Sequence, residues 1–183
     1  KLQNELKGFS VLNYLSSHDD GSPFDPKREK PIETANKLLL SPGASQVYYV
    51  DEIARQNVVE GTVGDANLRS VMNWDDMNTK QDILNHWYKL VQFRRNHPAV
   101  GAGKHQIISK EPYTFSRTFS KGKYQDNVVV ALDVPEGEVG IDVSSVFKDG
   151  DILLDYYSGE NLTVENGKVL TTSFHKVVLL EKK

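Results

Sequence analysis

The chain has 183 residues, of which 38% are hydrophobic, 26% charged and 9% aromatic, ordinary usage for one or two small globular cores. Lysine and arginine total 22 against 25 aspartates and glutamates, and neither sign is collected in a block. The charge therefore gives no reason to expect nucleic acid or an anionic membrane as a partner. The absence of cysteine excludes disulfide frameworks and cysteine-based zinc sites, and the apolar runs are too short to span a bilayer.

The first seven residues contain neither an initiator methionine nor the basic-then-apolar order of a signal peptide. We therefore expect the chain to begin within a longer protein. The hydrophobic pattern divides the chain into residues 1–100 and residues 104–183, and the stretch between Pro98 and Gly103 is the natural boundary.

In the first part, short apolar runs alternate with helical spacing, as expected for βα units. Residues 9–15 predict a strand, and Pro31 suits the first position of a helix that reaches residue 40. A second strand is predicted over residues 46–50. This alternation is typical of an α/β fold.

The clearest helical pattern follows Thr79 and Asp82, which have capping-box spacing with Asp in place of the usual Glu. Apolar residues then recur at steps of three and four until Asn96-His97-Pro98 ends the helix. We interpret Trp87 as a packing residue of this stripe. The stripe consists of Ile83, Leu84, Trp87, Leu90 and Val91.

After Gly103 the helical period disappears and short β-branched and aromatic runs take its place. Asn166-Gly167 between two alternating runs is a strong hairpin signal, because both residues tolerate positive φ. We interpret this part as a small antiparallel β-sandwich. The predicted strands are residues 113–119, 127–134, 152–157, 162–165, 168–172 and 174–180.

The segment with the most chemistry is residues 13–21, where an apolar strand ends in two serines, a histidine and two aspartates. Folds built from βα units place their sites at the carboxyl ends of strands. By spacing alone the signal is weak, because Asp-Asp-Gly after a strand is more often a turn.

Residues 14–19, Tyr-Leu-Ser-Ser-His-Asp, resemble the fourth conserved region of the α-amylase family, where a late strand of a (β/α)8 barrel delivers a His-Asp pair to the sugar. Three later segments resemble, in the family's order, the last barrel strand with its Asp-Glu ending, the following loop, and the final barrel helix with the entry to the C-terminal domain. The sequences Leu-Ser-Ser-His-Asp and His-Pro-Ala-Val-Gly-Ala-Gly are similar to those of the bacterial periplasmic α-amylase type. The later segments are residues 46–52, 65–74 and 86–103.

The resemblance implies an α/β part followed by an all-β part. Residues 1–100 would be the incomplete end of a (β/α)8 TIM barrel, and residues 104–183 an antiparallel β-sandwich C-terminal domain. Two strands and two or three helices cannot close an eight-stranded barrel, so the first part would keep an open edge and an uncovered apolar face. We therefore expect it to need the missing N-terminal part of the barrel or another copy of itself.

For activity, the resemblance implies hydrolysis of α-1,4-glucosidic bonds in starch or maltodextrin with retention of configuration, through a nucleophile and a separate acid/base. Asp19 matches a third carboxylate, which hydrogen-bonds the sugar in the cleavage subsite and stabilises the oxocarbenium-like transition state. His18 matches the histidine that contacts the same sugar. The motifs of the nucleophile and the acid/base are not found here, so we expect the chain to be inactive alone.

Two positions depart from the family pattern near this site. Asp20 stands where threonine is frequent, and it adds a charge beside Asp19. Val50 stands where glycine is common, and its branched side chain could crowd the rim of the pocket. Both changes bear on the geometry of the sugar subsite.

The other acidic residues do not supply the missing catalytic pair. Residues 19–20 and 51–52 are sequence neighbours, and adjacent side chains on a strand point to opposite faces. The two aspartates in residues 74–76 are interpreted as a solvated loop. The five histidines have no paired metal-ligand spacing, so no zinc site is predicted. The family's usual structural calcium draws on a domain outside this chain, so we expect no metal or cofactor here.

Two alternatives remain open beside a part of an α-glucan hydrolase. One is a noncatalytic carbohydrate-binding module with exposed aromatic rings that stack on sugar faces, and the other is a scaffold protein that has lost activity. The partner is expected to be an α-glucan oligosaccharide or starch, and the family resemblance implies a periplasmic or extracellular location. The candidate stacking residues are Tyr113, Phe115, Phe119, Tyr124, Tyr156 and Tyr157.

Overall fold

The computed structural model describes residues 9–172 and 174–183. The expectation about the first seven residues lies outside the described residues. The chain divides into two compact units, Lys1–Gln92 and Phe93–Lys183. The division falls within the long helix, ahead of the boundary that the sequence predicts between Pro98 and Gly103.

From residue 9 onward, the first unit contains one parallel strand pair, two helices and the start of a third. Strand β1 (Leu12–Asn13) pairs in parallel with β2 (Ala44–Ser45), and helix α1 (Pro31–Leu39) lies between them in the chain. A strand, a helix and a parallel strand form the βα unit that the sequence predicts. The incomplete barrel stays a prediction, because this pair gives the only parallel pairing in the described part of the chain. The remaining elements are 3-10 turns at Asp51–Ile53 and Gly64–Asn67, helix α2 (Asp76–Thr79) and helix α3 (Gln81–Asn96).

Helix α1 is confirmed, with Pro31 in the first turn and Ala35, Leu38 and Leu39 buried. The chain that leaves this helix passes close to the segment before β1. Gly43 has a φ of 93°, and a Cβ at this position would lie 2.5 Å from the backbone oxygen of Val11. Only glycine allows this close approach between the chain and the start of β1.

Both predicted strands of the first unit are wrong in extent. The first shrinks to β1, and residues 46–50 are not a strand, since β2 precedes them at Ala44–Ser45. The chain turns at this point because the Asp51 amide donates to the Tyr48 carbonyl (3.1 Å) and the Tyr48 amide donates to the Asp51 carboxylate (3.3 Å). A local side-chain hydrogen bond of this kind competes with a strand ladder.

Helix α3 is confirmed, although it begins at Gln81 and the expected capping box does not form. The Thr79 hydroxyl instead donates to the Asp76 carbonyl (3.3 Å) within α2. Trp87 and Leu90 are buried as predicted, while Val91 is exposed. The packing interpretation of Trp87 is thus confirmed.

The second unit is an antiparallel sandwich of unequal sheets, with a short helix α4 (Pro98–Ala102) before it. Its six-stranded sheet has the order β3-β4-β5-β10-β7-β8, and β6 pairs with β9 in a two-stranded sheet. A buried apolar cluster draws side chains from both sheets, including Val129, Ile141, Val169 and Leu180. The prediction that this part consists of antiparallel strands is confirmed, while β3 and β6 were missed. The strands are β3 Lys104–Lys110, β4 Tyr113–Lys121, β5 Tyr124–Leu132, β6 Val139–Asp142, β7 Ile152–Asp155, β8 Asn161–Thr163, β9 Lys168–Thr171 and β10 Val177–Lys182.

The Asn166-Gly167 turn forms as predicted, but it does not join two paired strands. Both residues have positive φ, 50° and 73°, and the Glu165 and Lys168 backbones exchange hydrogen bonds of 2.8 and 3.0 Å. The flanking strands then separate, because β8 pairs with β7 while β9 pairs with β6. The turn therefore carries the chain from one sheet to the other.

Candidate functional site

His18 and Asp19 form an exposed turn shortly after β1. Their side chains are 66% and 62% exposed, with 3.6 Å between His18 Nε2 and the Asp19 Oδ2 atom. The Ser17 hydroxyl donates a 2.9 Å hydrogen bond to Asp19 Oδ1. This carboxylate is thus oriented by its neighbours while it stays open to an incoming hydroxyl group.

The backbone of this turn is held from a distant loop. Arg69 Nε donates to the His18 carbonyl at 2.8 Å, and Arg69 Nη2 lies 3.0 Å from Asp65 Oδ2. The sequence reasoning missed this contact, because 51 positions separate the two residues. The only available signal was that Arg69 lies in the segment that resembles the loop after the last barrel strand.

The Asp20 carboxylate is hydrogen-bonded within its own loop. Its Oδ1 accepts a 2.9 Å hydrogen bond from the Ser22 amide, which closes a local turn. Asp20 and Ser22 line a cleft of about 490 Å³, together with Asp65 and Asn67 from the 3-10 turn region. The cleft lies within the first unit and offers hydrogen-bonding groups of the kind that sugar hydroxyls use.

Behind the turn lies a buried polar cluster of Ser16, Arg28 and Asp51, each at least 92% buried. The Ser16 hydroxyl donates to Asp51 Oδ1 (2.8 Å), and Arg28 Nη2 donates to Ser16 Oγ (3.0 Å) and to the same Asp51 oxygen. Other guanidinium nitrogens of Arg28 donate to the carbonyls of Arg55 and Phe24, each at 3.2 Å.

Burial raises the pKa of Asp51, while Arg28 and the Ser16 hydroxyl act in the opposite direction. We interpret Asp51 as a structural residue, because its side chain is buried and both of its carboxylate oxygens accept hydrogen bonds within the protein. Asp51 therefore stabilises the backbone just before the His18-Asp19 turn, through Ser16 and Arg28.

Val50 does not crowd the rim of a pocket, which corrects the expectation from the sequence. Its side chain is fully buried, and its φ of 75° lies in the left-handed region. A β-branched residue is a rare occupant of this region, which favours glycine. The departure from the family pattern thus concerns the backbone of the turn.

Among the other acidic groups of the first unit, Asp76 is paired with a lysine. Asp76 lies 3.0 Å from Lys80 Nζ, and this hydrogen bond lowers the pKa of Asp76. Trp74 beside it is 69% exposed.

Over residues 9–172 and 174–183 no group of three or more His, Asp and Glu side chains is arranged to hold a metal ion. Within the same ranges no helix is long and apolar enough to cross a membrane.

The aromatic residues of the sandwich do not present a flat platform. The ring pairs among the described residues of this part are inclined to each other, from 45° for Tyr113 and Phe115 to 69° for Tyr157 and His175. Phe115 is buried, whereas Tyr124 is half exposed. Stacking on a sugar needs exposed rings in one plane, so these pairs do not favour a binding module.

Comparison with known proteins finds sequence similarity to an α-amylase and to an amylopullulanase. No family model matches the chain. A periplasmic α-amylase of Escherichia coli (strain K12) is 41% identical over 125 residues, which is 67% of this chain and 18% of that protein. An amylopullulanase of Thermoanaerobacter thermohydrosulfuricus is 26% identical over 191 residues, 88% of this chain and 12% of that protein. The chain thus spans less than a fifth of the length of either relative.

The fold also matches solved structures. The α-amylase from Geobacillus thermoleovorans, complexed with acarbose, matches with a TM-score of 0.69 over 100% of this chain and 42% of that chain. The sequence identity is 15%, so this likeness speaks for the fold alone. The 41% identity to the Escherichia coli protein, over 67% of this chain, identifies the chain as a member of the α-amylase family of glycoside hydrolases.

Proposed function

We propose that this chain is the C-terminal part of a retaining α-glucan hydrolase that cleaves α-1,4-glucosidic bonds, and that Asp19 and His18 contact the sugar at the cleavage point. The observation that carries the proposal is the exposed His18-Asp19 turn after β1, in a chain 41% identical to an α-amylase over 125 residues. Its position next to a parallel strand pair is the place where βα folds hold their sites.

Asp19 acts without transferring a proton. A carboxylate that accepts hydrogen bonds from the sugar hydroxyls stabilises the positive charge that develops on the ring in the transition state. The Ser17 hydroxyl on Asp19 Oδ1 and His18 beside Oδ2 fix the direction of the carboxylate. His18, equally exposed, donates or accepts at a neighbouring hydroxyl of the same sugar.

The nucleophile and the acid/base come from outside this chain. The buried Asp51 is paired with Arg28, and Asp65 and Asp76 pair with Arg69 and Lys80. Exposed apolar side chains on and around β1, from Phe9, Leu12 and Tyr14, provide a surface on which the missing barrel strands can pack. We favour this N-terminal part of a longer polypeptide over self-association as the occupant, because it also supplies the two catalytic acids.

The same proposal extends to location and metal. A periplasmic or extracellular site of action is supported by the name of the Escherichia coli relative, a periplasmic α-amylase. If the whole enzyme holds a structural calcium ion, its ligands come from a part of the protein outside this chain.

The test compares the full-length protein with this 183-residue chain on soluble starch. We expect the full-length protein to release reducing sugar with the α-configuration at the new end, followed by NMR, and the isolated chain to release none. An inert full-length protein, or release of the β-anomer, would overturn the proposal and favour a scaffold or an inverting enzyme. Binding of maltodextrin by the isolated sandwich, measured by calorimetry, would favour the binding-module alternative.

A further inference from the structure

We propose that Arg69 is a positioning residue for Asp19, which acts through the backbone carbonyl of His18. The inference rests on the proposed function, because it concerns the same turn. Arg69 Nε donates to the His18 carbonyl at 2.8 Å, and this oxygen belongs to the peptide group that joins His18 to Asp19.

The covalent geometry explains how one hydrogen bond can aim a carboxylate. A peptide group is planar, so fixing its oxygen also fixes the amide nitrogen and the Cα atom of the next residue. On the other edge of the same peptide, the Asp19 amide lies 3.5 Å from Ser17 Oγ, which in turn donates to Asp19 Oδ1. The peptide between His18 and Asp19 is thus held from both edges.

Arg69 can hold this peptide only if its own loop is fixed, and the neighbouring backbone shows that it is. The Leu68 carbonyl accepts hydrogen bonds from the Tyr48 hydroxyl (3.0 Å) and from Arg55 Nη2 (3.2 Å), and the Ser70 carbonyl accepts one from the Tyr49 hydroxyl (2.7 Å). Burial raises the pKa of Tyr48 to about 12, so its hydroxyl keeps its proton and remains a donor. The residues on both sides of Arg69 are therefore anchored.

The guanidinium is also oriented on its own side chain. Asp65, four residues earlier, lies 3.0 Å from Arg69 Nη2 and leaves Nε directed at the His18 carbonyl. This pair is about half exposed, so it adds little to stability. Its value is geometric, because an error of about 1 Å in the position of a catalytic group can cost about 100-fold in rate.

The experiment is a double-mutant cycle in the full-length protein, with kcat and KM on a soluble maltodextrin for wild type, Arg69→Gln, Asp19→Asn and the double variant. If Arg69 acts through Asp19, Arg69→Gln lowers kcat about 10- to 100-fold with little change in KM. In the Asp19→Asn background the same change then costs less than about threefold, since residues that act as a unit are not additive. Arg69→Lys, which keeps a cationic hydrogen-bond donor group, is expected to restore part of kcat.

Controls separate this role from a structural one. Arg95→Gln, an exposed arginine at the end of α3, should leave kcat unchanged, and the melting temperature of Arg69→Gln should equal that of wild type. Independent, additive losses from Arg69 and Asp19, or a loss confined to KM, would overturn the inference and indicate direct contact between Arg69 and the glucan. An active enzyme that tolerates Arg69→Gln also overturns it, while an inactive full-length protein overturns the proposed function itself.

Discussion

Different interactions stabilise the two units. In the second unit, backbone ladders join six strands and an apolar cluster fills the space between the sheets. In the first unit the strands are two residues long, and side-chain hydrogen bonds from Arg28, Arg55 and Tyr48 to distant backbone carbonyls hold the loops. Candidate function lies in the irregular unit, consistent with the tendency of sites to occupy loops on a stable scaffold.

The largest expected effect comes from breaking the buried ion pair of the first unit. Asp51→Ala leaves the Arg28 guanidinium buried without its counter-charge, and we expect a loss of about 3–5 kcal/mol in the free energy of unfolding. The measurement is urea unfolding, with hydrogen exchange to place the loss in the first unit. Glu33→Gln is the matched control, because Glu33 pairs with Lys37 at the exposed surface of α1, and it should shift the midpoint little. Equal effects of both changes would contradict the contrast between buried and exposed pairs.

The stability of the second unit should depend more on apolar side chains in its buried cluster than on apolar side chains at its surface. Leu180 is fully buried in the apolar cluster, so Leu180→Ala is expected to cost about 2–5 kcal/mol. Leu170→Ala changes the same side chain at an exposed position of β9 and should cost far less. Thermal unfolding of the two variants makes this comparison. A similar loss from both would mean that the cluster is not the main source of stability.

A smaller expected effect is a dependence of the first unit's stability on pH, which arises from His86. Burial lowers the pKa of His86 on α3 to about 4, below its ordinary value of 6.5, so the folded state keeps the ring neutral where the unfolded chain protonates it. The stability of the first unit should therefore fall as the pH drops from about 6.5 towards 4 and level off below that. His86→Gln should remove this component, seen as the difference in unfolding midpoint between the two proteins at pH 7 and pH 5. An identical pH slope with and without His86 would speak against it.

The sequence predicted regular elements better than it predicted the site. Helices α1 and α3 and most sandwich strands follow from hydrophobic period, because their buried faces repeat along the chain. Strands β3 and β6 escaped because Lys104–Lys110 and Val139–Asp142 carry mostly exposed or intermediate residues. The predicted strand at residues 46–50 failed because the Asp51 side chain binds the Tyr48 amide and closes a turn.

Of the candidate site, only His18 and Asp19 were proposed from the sequence, through the family resemblance. Two arginines that contact this turn and its approach were not predicted. Arg28 contacts Ser16, 12 positions away in the sequence, and Arg69 contacts the His18 carbonyl, 51 positions away. No period or spacing rule links residues at such separations. Polar contacts of this kind depend on the folded path of the loops, which only the structure provides.

The proposed role of Asp19 is to stabilise the transition state of an α-glucan hydrolase. The most direct measurement is kcat of the full-length protein on maltodextrin for wild type, Asp19→Asn and Asp133→Asn, an exposed control on a left-handed residue that asparagine tolerates. If Asp19 has this role, Asp19→Asn loses about two to three orders of magnitude in kcat, while Asp133→Asn retains full activity. An active enzyme in which Asp19→Asn turns over as fast as the Asp133→Asn control would contradict it.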